Sequence, residues 1–436
     1  MQQSQDIYKT SRLLYIIEAG LEYFISLLVA GAYLAKVTSA IGLSDSVTGI
    51  LSAFASLGCG FQLVAVFLVN KRPVKRWVSI LHSLNQLAFA LVYLVPFIRV
   101  PQWGKTLLFI TFLLTGYIVN NIVNSPKINW FMSLVDDDKR GRFTANKEIV
   151  SLLGGMIFTF IVGQIMDACE ANGNIAGAFA FCGIGIFVLM VSHTLTLVFS
   201  KEKPVLEEEK VPTKQVLAGV VKDKTLWKVV LVSVLWNVAH YVTTPFYGTY
   251  QIKELGFSMT FVSLLSAGYS ILRAVTSRPM GRFADNTSFA KMLNVCFIVA
   301  MVGFGVNIFT TPANGKVLYT LYYLCYAVAM AGINSGSINL IYDYVDKRNR
   351  MGAFAFKSAV AGVAGFVTTL ISSMLVERIQ ANGNTFFGIS VYAQQVTSAI
   401  AVLLTGVLLV YLNLVVRKMK KPQEKTADSV DGAKTE

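Results

Sequence analysis

Residues 124–174 of this chain return 210 positions later in the same register. Asn124-Ser125-x-x-Ile128-Asn129 recurs as Asn334-Ser335-x-x-Ile338-Asn339, Val135-Asp136 as Val345-Asp346, Arg140 as Arg350, Lys147 as Lys357 and Gly155 as Gly365. Asp167 returns as Glu377, and Ala171-Asn172-Gly173-Asn174 as Ala381-Asn382-Gly383-Asn384. At an offset of 214, Tyr33 matches Tyr247, Ile41-Gly42-Leu43-Ser44 matches Leu255-Gly256-Phe257-Ser258, and Leu51-Ser52-Ala53 matches Leu265-Ser266-Ala267. Such sustained agreement makes the chain two copies of one unit, whose interface is the natural place for a binding site.

Each copy is built of apolar segments. We read twelve, near 12–38, 46–70, 76–98, 105–134, 143–166, 175–199, 225–250, 258–281, 289–310, 317–343, 351–376 and 390–416. Each is long enough to cross a hydrocarbon core, which takes roughly 20 residues as a helix. Only 14% of residues are charged, against about 25% in a soluble domain. The predicted fold is therefore an all-α membrane protein. Six spans per copy start both copies on the same side, so the repeats are parallel, related by an axis along the membrane normal.

The net charge of +14 invites a nucleic-acid reading, and its placement argues against one. Most Lys and Arg fall in alternate loops and the termini, among them Lys71, Arg72, Lys139, Arg142, Lys201, Lys203, Arg348 and Lys418. Only Arg99, Lys105, Lys253, Lys316 and Arg378 fall on the other side. The basic charge is a topology signal, placing both termini in the cytoplasm.

The first segment carries Glu18 and Glu22 and no small-residue cleavage pattern, so it reads as a span rather than a cleaved signal. The five cysteines have neither disulfide nor metal spacing. No metal or other cofactor is expected. Charge runs and two prolines make 200–224 a cytoplasmic linker between bundles at 1–199 and 225–416, and the tail 417–436 is polar enough to be disordered.

With its six-plus-six spans, charged central linker and cytoplasmic ends, the chain resembles the major facilitator superfamily, in its bacterial form, over essentially the whole length. The most specific local likeness is Arg278-Pro279-Met280-Gly281-Arg282-Phe283-Ala284-Asp285, which fits the family's Gly-x-Leu-Ala-Asp signature with Phe283 in the Leu place. The first half departs from it: Phe67-Leu68-Val69-Asn70-Lys71-Arg72 keeps the basic residues, lacks the glycine and has Asn where Asp is expected. Asp136-Asp-Asp-Lys-Arg-Gly-Arg142 also resembles a loop of the family. Gly281 would let two helices approach closely. Asp285 would cap the positive N-terminus of the eleventh span near Arg350. With Arg282, these are expected to gate.

Polar residues inside spans face protein or a wet cavity. The first span carries Tyr15, Glu18, Glu22, Ser26 and Tyr33 at helical spacing. The fourth carries Tyr117, Asn120 or Asn121, Asn124 and Lys127. On the seventh are Ser233, Asn237, His240, Thr244, Tyr247 and Gln251, with Trp236 beside them, and on the tenth Tyr323, Tyr326, Asn334 and Ser337. The resemblance implies that these four spans line a central cavity. Glu22, Ser26, Asn120, Asn121, Asn124, Lys127, Trp236, Asn237, His240, Asn334 and Ser337 are the substrate-binding candidates. Asn124 and Asn334 serve equally well as interhelical glue.

The buried charges have both signs: Glu18, Glu22 and Glu148 against Lys127, Lys147, Arg273 and Lys357. Ion pairs closing a cytoplasmic gate, a cationic vestibule for an anionic solute, and snorkelling to the interface all fit. Snorkelling suits Glu18, Lys147 and Lys357 best. Gate pairing adds Lys147, Lys357 and Arg273 to the gating set. Glu22 is the expected proton-coupling residue. The resemblance leaves His82 and His193 on the outer scaffold, with no role.

The function these features imply is secondary active transport of a small polar organic solute, such as a sugar or organic acid, by alternating access. Protons or sodium ions are the expected coupling partners, the bacterial plasma membrane the expected location, and a monomer the expected state. A multidrug/proton antiporter is the alternative, and the glycine run Ser151–Gln164 lacks the proline of the family's antiporter signature. Enzyme chemistry finds no support: there is no His-Glu-x-x-His, P-loop or partnered Gly-x-Ser-x-Gly, and only three His exist.

Overall fold

The computed structural model describes residues 7–64, 73–136, 139–203, 221–345 and 350–419. The first half contains helices α1 (Lys9–Leu28), α2 (Gly31–Ala40), α3 (Asp45–Cys59), α4 (Lys75–Val92), α5 (Gln102–Ser133), α6 (Arg140–Ala171) and α7 (Ile175–Phe199). The second contains α8 (Lys224–Tyr241), α9 (Met259–Asn286), α10 (Phe289–Ile308), α11 (Gly315–Tyr344), α12 (Arg350–Ala381) and α13 (Ala393–Leu414). A small antiparallel hairpin, β1 (Thr385–Phe386) and β2 (Ile389–Ser390), precedes α13. Most of the linker expected at 200–224 and nearly all of the tail lie outside the described residues, as does Phe67–Arg72.

Among the described residues, ten helical segments are long and apolar enough to cross a bilayer, and α1 with α2 makes an eleventh as a pair bent by 43°. The remaining rod, α4, starts with Lys75 and Arg76 and carries buried His82, Asn85 and Gln86. Those side chains dilute its hydropathy because its inner face is polar. Twelve rods in chain order are consistent with the twelve expected spans.

Two spans expected to be continuous are broken at one place in the repeat. The first stops at Leu28 and restarts at Gly31, whose φ of +52° is left-handed. The seventh stops at Tyr241, then passes through a 3-10 turn, Thr244–Phe246, and a π turn, Tyr250–Glu254. Pro245 in that 3-10 turn has no backbone N–H to continue a helix. Gly31 and Pro245 correspond at the offset of 214, and the two breaks meet: a Cβ on Gly248 would lie 2.5 Å from the Gly31 carbonyl oxygen.

The repeated Ala-Asn-Gly-Asn motif is a helix stop. Gly173 and Gly383 take φ of +70° and +67°, the left-handed C-cap at which glycine has no side chain to clash. Asn174 and Asn384 then donate back to Cys169 O at 2.8 Å and Ile379 O at 3.0 Å. Asn174 also starts α7, its Oδ1 accepting from Gly177 N at 2.9 Å.

Each half packs its own core. Leu34, Leu51, Phe109, Leu113 and Phe179 are buried in the first, and Phe297, Phe304, Tyr319, Tyr322 and Leu408 in the second. Ile184, Val188, Ile371 and Leu403 project outward, as a lipid-facing surface requires. Lipid is as apolar as these side chains, so small residues and close packing must hold the helices together. The paired repeat glycines do this: Gly155 seats Tyr23 and Gly365 seats Tyr241.

Candidate functional site

The start of α1 marks one end of the molecule, where Lys201 N donates to Ser11 Oγ at 2.8 Å and Arg12 donates to Leu134 O at 3.0 Å. The hydrogen bonds and ion pairs that join the two halves, among the described residues, lie from mid-height toward the opposite end. Ser56 Oγ donates to Gly362 O at 2.9 Å, and Ser263 Oγ meets the Tyr33 hydroxyl at 2.9 Å and Thr159 O at 2.9 Å. At the far tip, Lys253 pairs with Asp45 at 2.6 Å and donates to Leu43 O at 3.2 Å, while Gln380 Nε2 donates to the other Asp45 oxygen at 2.8 Å. Asp167 accepts from Met259 N and Thr260 N at 2.7 and 2.8 Å, capping the N-terminus of α9. Acceptors at a helix N-terminus satisfy its free N–H groups and its positive dipole end. Among the described residues, these contacts latch the halves at the far end. Sequence reasoning missed Asp45, Lys253, Gln380 and Asp167, because their partners are remote in sequence and their types are those of ordinary loop residues.

Of the gating residues expected at the termini end, Gly281, Arg282 and Asp285 lie on α9 and Arg350 starts α12. Arg282 and Asp285 are exposed, and Asp285 makes no hydrogen bond or ion pair among the described residues. Arg350 Nε donates to Val345 O at 3.2 Å. Gly281 is not a close-approach glycine: a Cβ there would meet nothing within 4 Å. In this conformation no helix packs closely on α9 at Gly281.

Charged side chains inside the first half converge on one point. Lys127 of α5 is 2% exposed, and its ammonium donates to Glu18 Oε1 at 2.9 Å, to Glu22 Oε2, and to His82 Nε2 at 2.9 Å. These three acceptors use all three ammonium protons. His82 Nδ1 faces Asn85 Oδ1 at 3.2 Å, and Asn85 Nδ2 donates to Gly116 O at 2.6 Å. If Nε2 accepts from the lysine, the His82 proton sits on Nδ1 and points at Asn85. His193 Nε2 donates to Glu18 Oε1 at 2.9 Å, and the two imidazoles meet edge to face at 4.5 Å. Both histidines are fully buried. They belong to the charge cluster, not to an outer scaffold. Glu18 is also fully buried, so it does not snorkel.

With both imidazoles neutral, the cluster holds two carboxylates and one ammonium, one negative charge in excess. Glu18 Oε2 and His193 Nδ1 are buried with no hydrogen-bond partner. Glu18, His82 and His193 also satisfy the spacing of a metal site, but the Lys127 ammonium already stands among their donor atoms, so no metal is assigned. Of the acids, only Glu22 reaches open space, with 21% of its side chain exposed against 0% for Glu18.

The other predicted polar residues spread along the facing helices. Asn121 Nδ2 donates to Tyr117 O at 2.9 Å and Ser26 Oγ to Tyr23 O at 2.7 Å, both within their own helix. Asn120 Oδ1 is buried without a partner. Asn124 is half-buried, Asn334 exposed and Ser337 half-buried, and none makes a hydrogen bond among the described residues. Interhelical glue is therefore not what Asn124 and Asn334 provide in this state. On α8, Asn237 Nδ2 ties to Ala361 O at 2.8 Å. His240 accepts or donates to the Tyr326 hydroxyl at 3.0 Å and to Thr244 Oγ1 at 3.1 Å. Trp236 stacks beside His240 at 5.7 Å, and Tyr326 stacks on it at 5.8 Å and on Tyr269 at 6.0 Å. The second half thus offers an aromatic wall opposite the charged first half.

The family model for the Major Facilitator Superfamily matches residues 16–331 and 238–435. Among solved structures, the nucleoside transporter NupG superposes with a TM-score of 0.71 at 13% identity, covering 94% of this chain and 100% of that one. A D-xylose-proton symporter gives 0.65 at 14% identity, covering 91% and 97%. A bacterial homologue of the human lysosomal transporter Spinster, inward-facing and unoccupied, gives 0.66 at 12% identity, covering 96% and 98%. At these identities the likeness is one of fold. No curated protein matches the chain.

Proposed function

The chain belongs to the major facilitator superfamily, and on that footing we propose that it is a secondary active transporter of a small polar organic solute, driven by protons. Its two six-helix bundles, 1–199 and 225–416, rock about the contacts of α3 with α12 and α6 with α9. The positive-inside rule puts the termini in the cytoplasm, here the cytoplasm of a bacterium. The described conformation, latched at Asp45–Lys253, then opens inward. One chain is sufficient as a monomer, since both bundles are in it.

The observation that carries the coupling is the charge balance around Lys127. Two carboxylates share one ammonium, so the cluster has room for one proton. Glu22 is the acid that faces the cleft and takes it. Protonation of Glu22 would release one of the three bonds of Lys127, leaving the lysine held by Glu18 and His82. Asn120, Asn121 and Asn124 on α5, which also carries Lys127, and Asn237 and His240 opposite, supply donors and acceptors to the solute. Movement of Lys127 is thereby felt by the helix that binds the solute.

The test is transport in proteoliposomes, using a solute found by screening sugars, organic acids, nucleosides, amino acids and cationic dyes. Glu22→Gln should abolish accumulation driven by a pH gradient while sparing counterflow. Proton-driven uptake that is unchanged in that variant would rule the assignment out. A multidrug exporter is the second reading, favoured by the aromatic surface of Tyr269 and Tyr326. It predicts a bulky cation in the cleft, beside the partly exposed Glu22.

A further inference from the structure

The interior acids are both taken by Lys127. Three other interior cations have none. Lys357 of α12, Lys147 of α6 and Arg273 of α9 form no ion pair among the described residues, and Glu148, the nearest acid in sequence to Lys147, is exposed. Lys147 lies over the Tyr15 ring at 5.2 Å. Arg273 lies beside Tyr23 and Tyr269, at the edge of the aromatic wall.

Lys357 is the extreme case. It is 9% exposed and has no hydrogen-bond partner among the described residues. Its ammonium rests over the Phe354 ring, 4.8 Å from the centroid, and faces the Cys59 thiol of α3. An aromatic face compensates an ammonium only partly, and a buried charge with no counter-charge is costly. Yet its nitrogen is not sealed away: it is absent from the fully enclosed polar atoms. Lys357 sits one helical turn from Ala361, whose carbonyl holds Asn237 of α8. It therefore borders the place where α3, α8 and α12 close off the cleft.

We infer that the solute is an organic anion, and that Lys357 receives its carboxylate or phosphate. This rests on the transport reading above and narrows it. The anion supplies the counter-charge that Lys357 lacks. Arg273 and Lys147 add a positive field along the approach from the termini end, and the half-buried Tyr269 and Tyr326 present flat surface to the organic part. Neutral homologues would leave the cation as unpaired as before, and so gain nothing from entering.

The experiment uses the purified full-length protein and matched acid and neutral pairs: benzoate with benzamide, nicotinate with nicotinamide, glucose 6-phosphate with glucose, and uridine monophosphate with uridine. Binding is read by thermal shift and calorimetry. At least one acid should bind and its neutral partner should not. Lys357→Gln should weaken that acid by roughly tenfold to a hundredfold, and Lys357→Arg should stay within a few-fold of the native chain. Carboxylates binding without phosphates, or the reverse, identifies the anion. Neutral partners binding as well as the acids, or an acid unaffected by Lys357→Gln, overturns the inference while leaving a transporter of neutral solutes intact. If Lys357→Gln does not fold, the acid and neutral pairs on the native chain decide alone. If no solute of either kind binds or accumulates, the transport reading itself fails.

Discussion

Lys127 and Glu18 stand 2.9 Å apart with side-chain exposures of 3% and 0%, a buried ion pair between α5 and α1 of the first bundle. Such pairs contribute little net stability, but removing one partner strands the other. We expect Lys127→Met to destabilise the protein by about 3–5 kcal/mol, read as a lowered unfolding midpoint in detergent. Adding Glu18→Gln should recover part of that loss, because the stranded charge is then gone. A double variant no more stable than Lys127→Met would mean that the pair is not the origin of the effect.

Gly281→Ala should be neutral or slightly stabilising in the described conformation. A Cβ there meets open space, and alanine exceeds glycine as a helix former by about 1 kcal/mol. Transport is the sharper readout. Should uptake fall while the unfolding midpoint holds or rises, Gly281 is needed in the alternate conformation, where this end closes. If uptake is unchanged, Gly281 has no gating role.

The architecture was legible because apolar segment length and the basic-loop asymmetry are written directly in the chain. The inward stripes that carry Glu22 and Lys127 were legible as well, but their pairing was one of three readings the sequence left open. His82 and His193 were misread for a physical reason: they lie on helices remote in sequence from Glu18, and only the packing of α1 against α4, α5 and α7 shows that they face the same carboxylate. The outer latch was hidden differently. Asp45 sits at a helix start and Lys253 at a helix end, where charged residues ordinarily meet water. The repeated Ala-Asn-Gly-Asn motif, prominent in sequence, proved to be a helix stop.

Asp45→Asn should loosen the far end. Asp45 is 2% exposed and holds both Lys253 and Gln380, and a hydrogen bond to a charged group contributes about 1.5–3 kcal/mol. Losing that much would shift the balance between conformations by roughly tenfold or more. Spin labels on Ser44 and Glu254 should show a new, longer distance in the variant. A distribution identical to that of the native chain would show that the latch does not set the equilibrium.

Gly248→Ala should act at the same end by sterics rather than charge. The added Cβ would lie 2.5 Å from the carbonyl oxygen and 2.7 Å from the carbonyl carbon of Gly31. Both contacts are backbone, so neither can turn aside as a side chain would. The broken helices α2 and Tyr247–Thr249 would have to part, and with them the two bundles. The fold of each half contains no such contact and should survive, so the unfolding midpoint should change less than the conformational balance. A cysteine placed at Ala30 should then react with a membrane-impermeant thiol reagent from outside intact cells faster in the Gly248→Ala background than in the native one. Equal rates would mean that the backbones slide past one another without opening the far end, and that the paired breaks at Gly31 and Pro245 are not where the bundles separate.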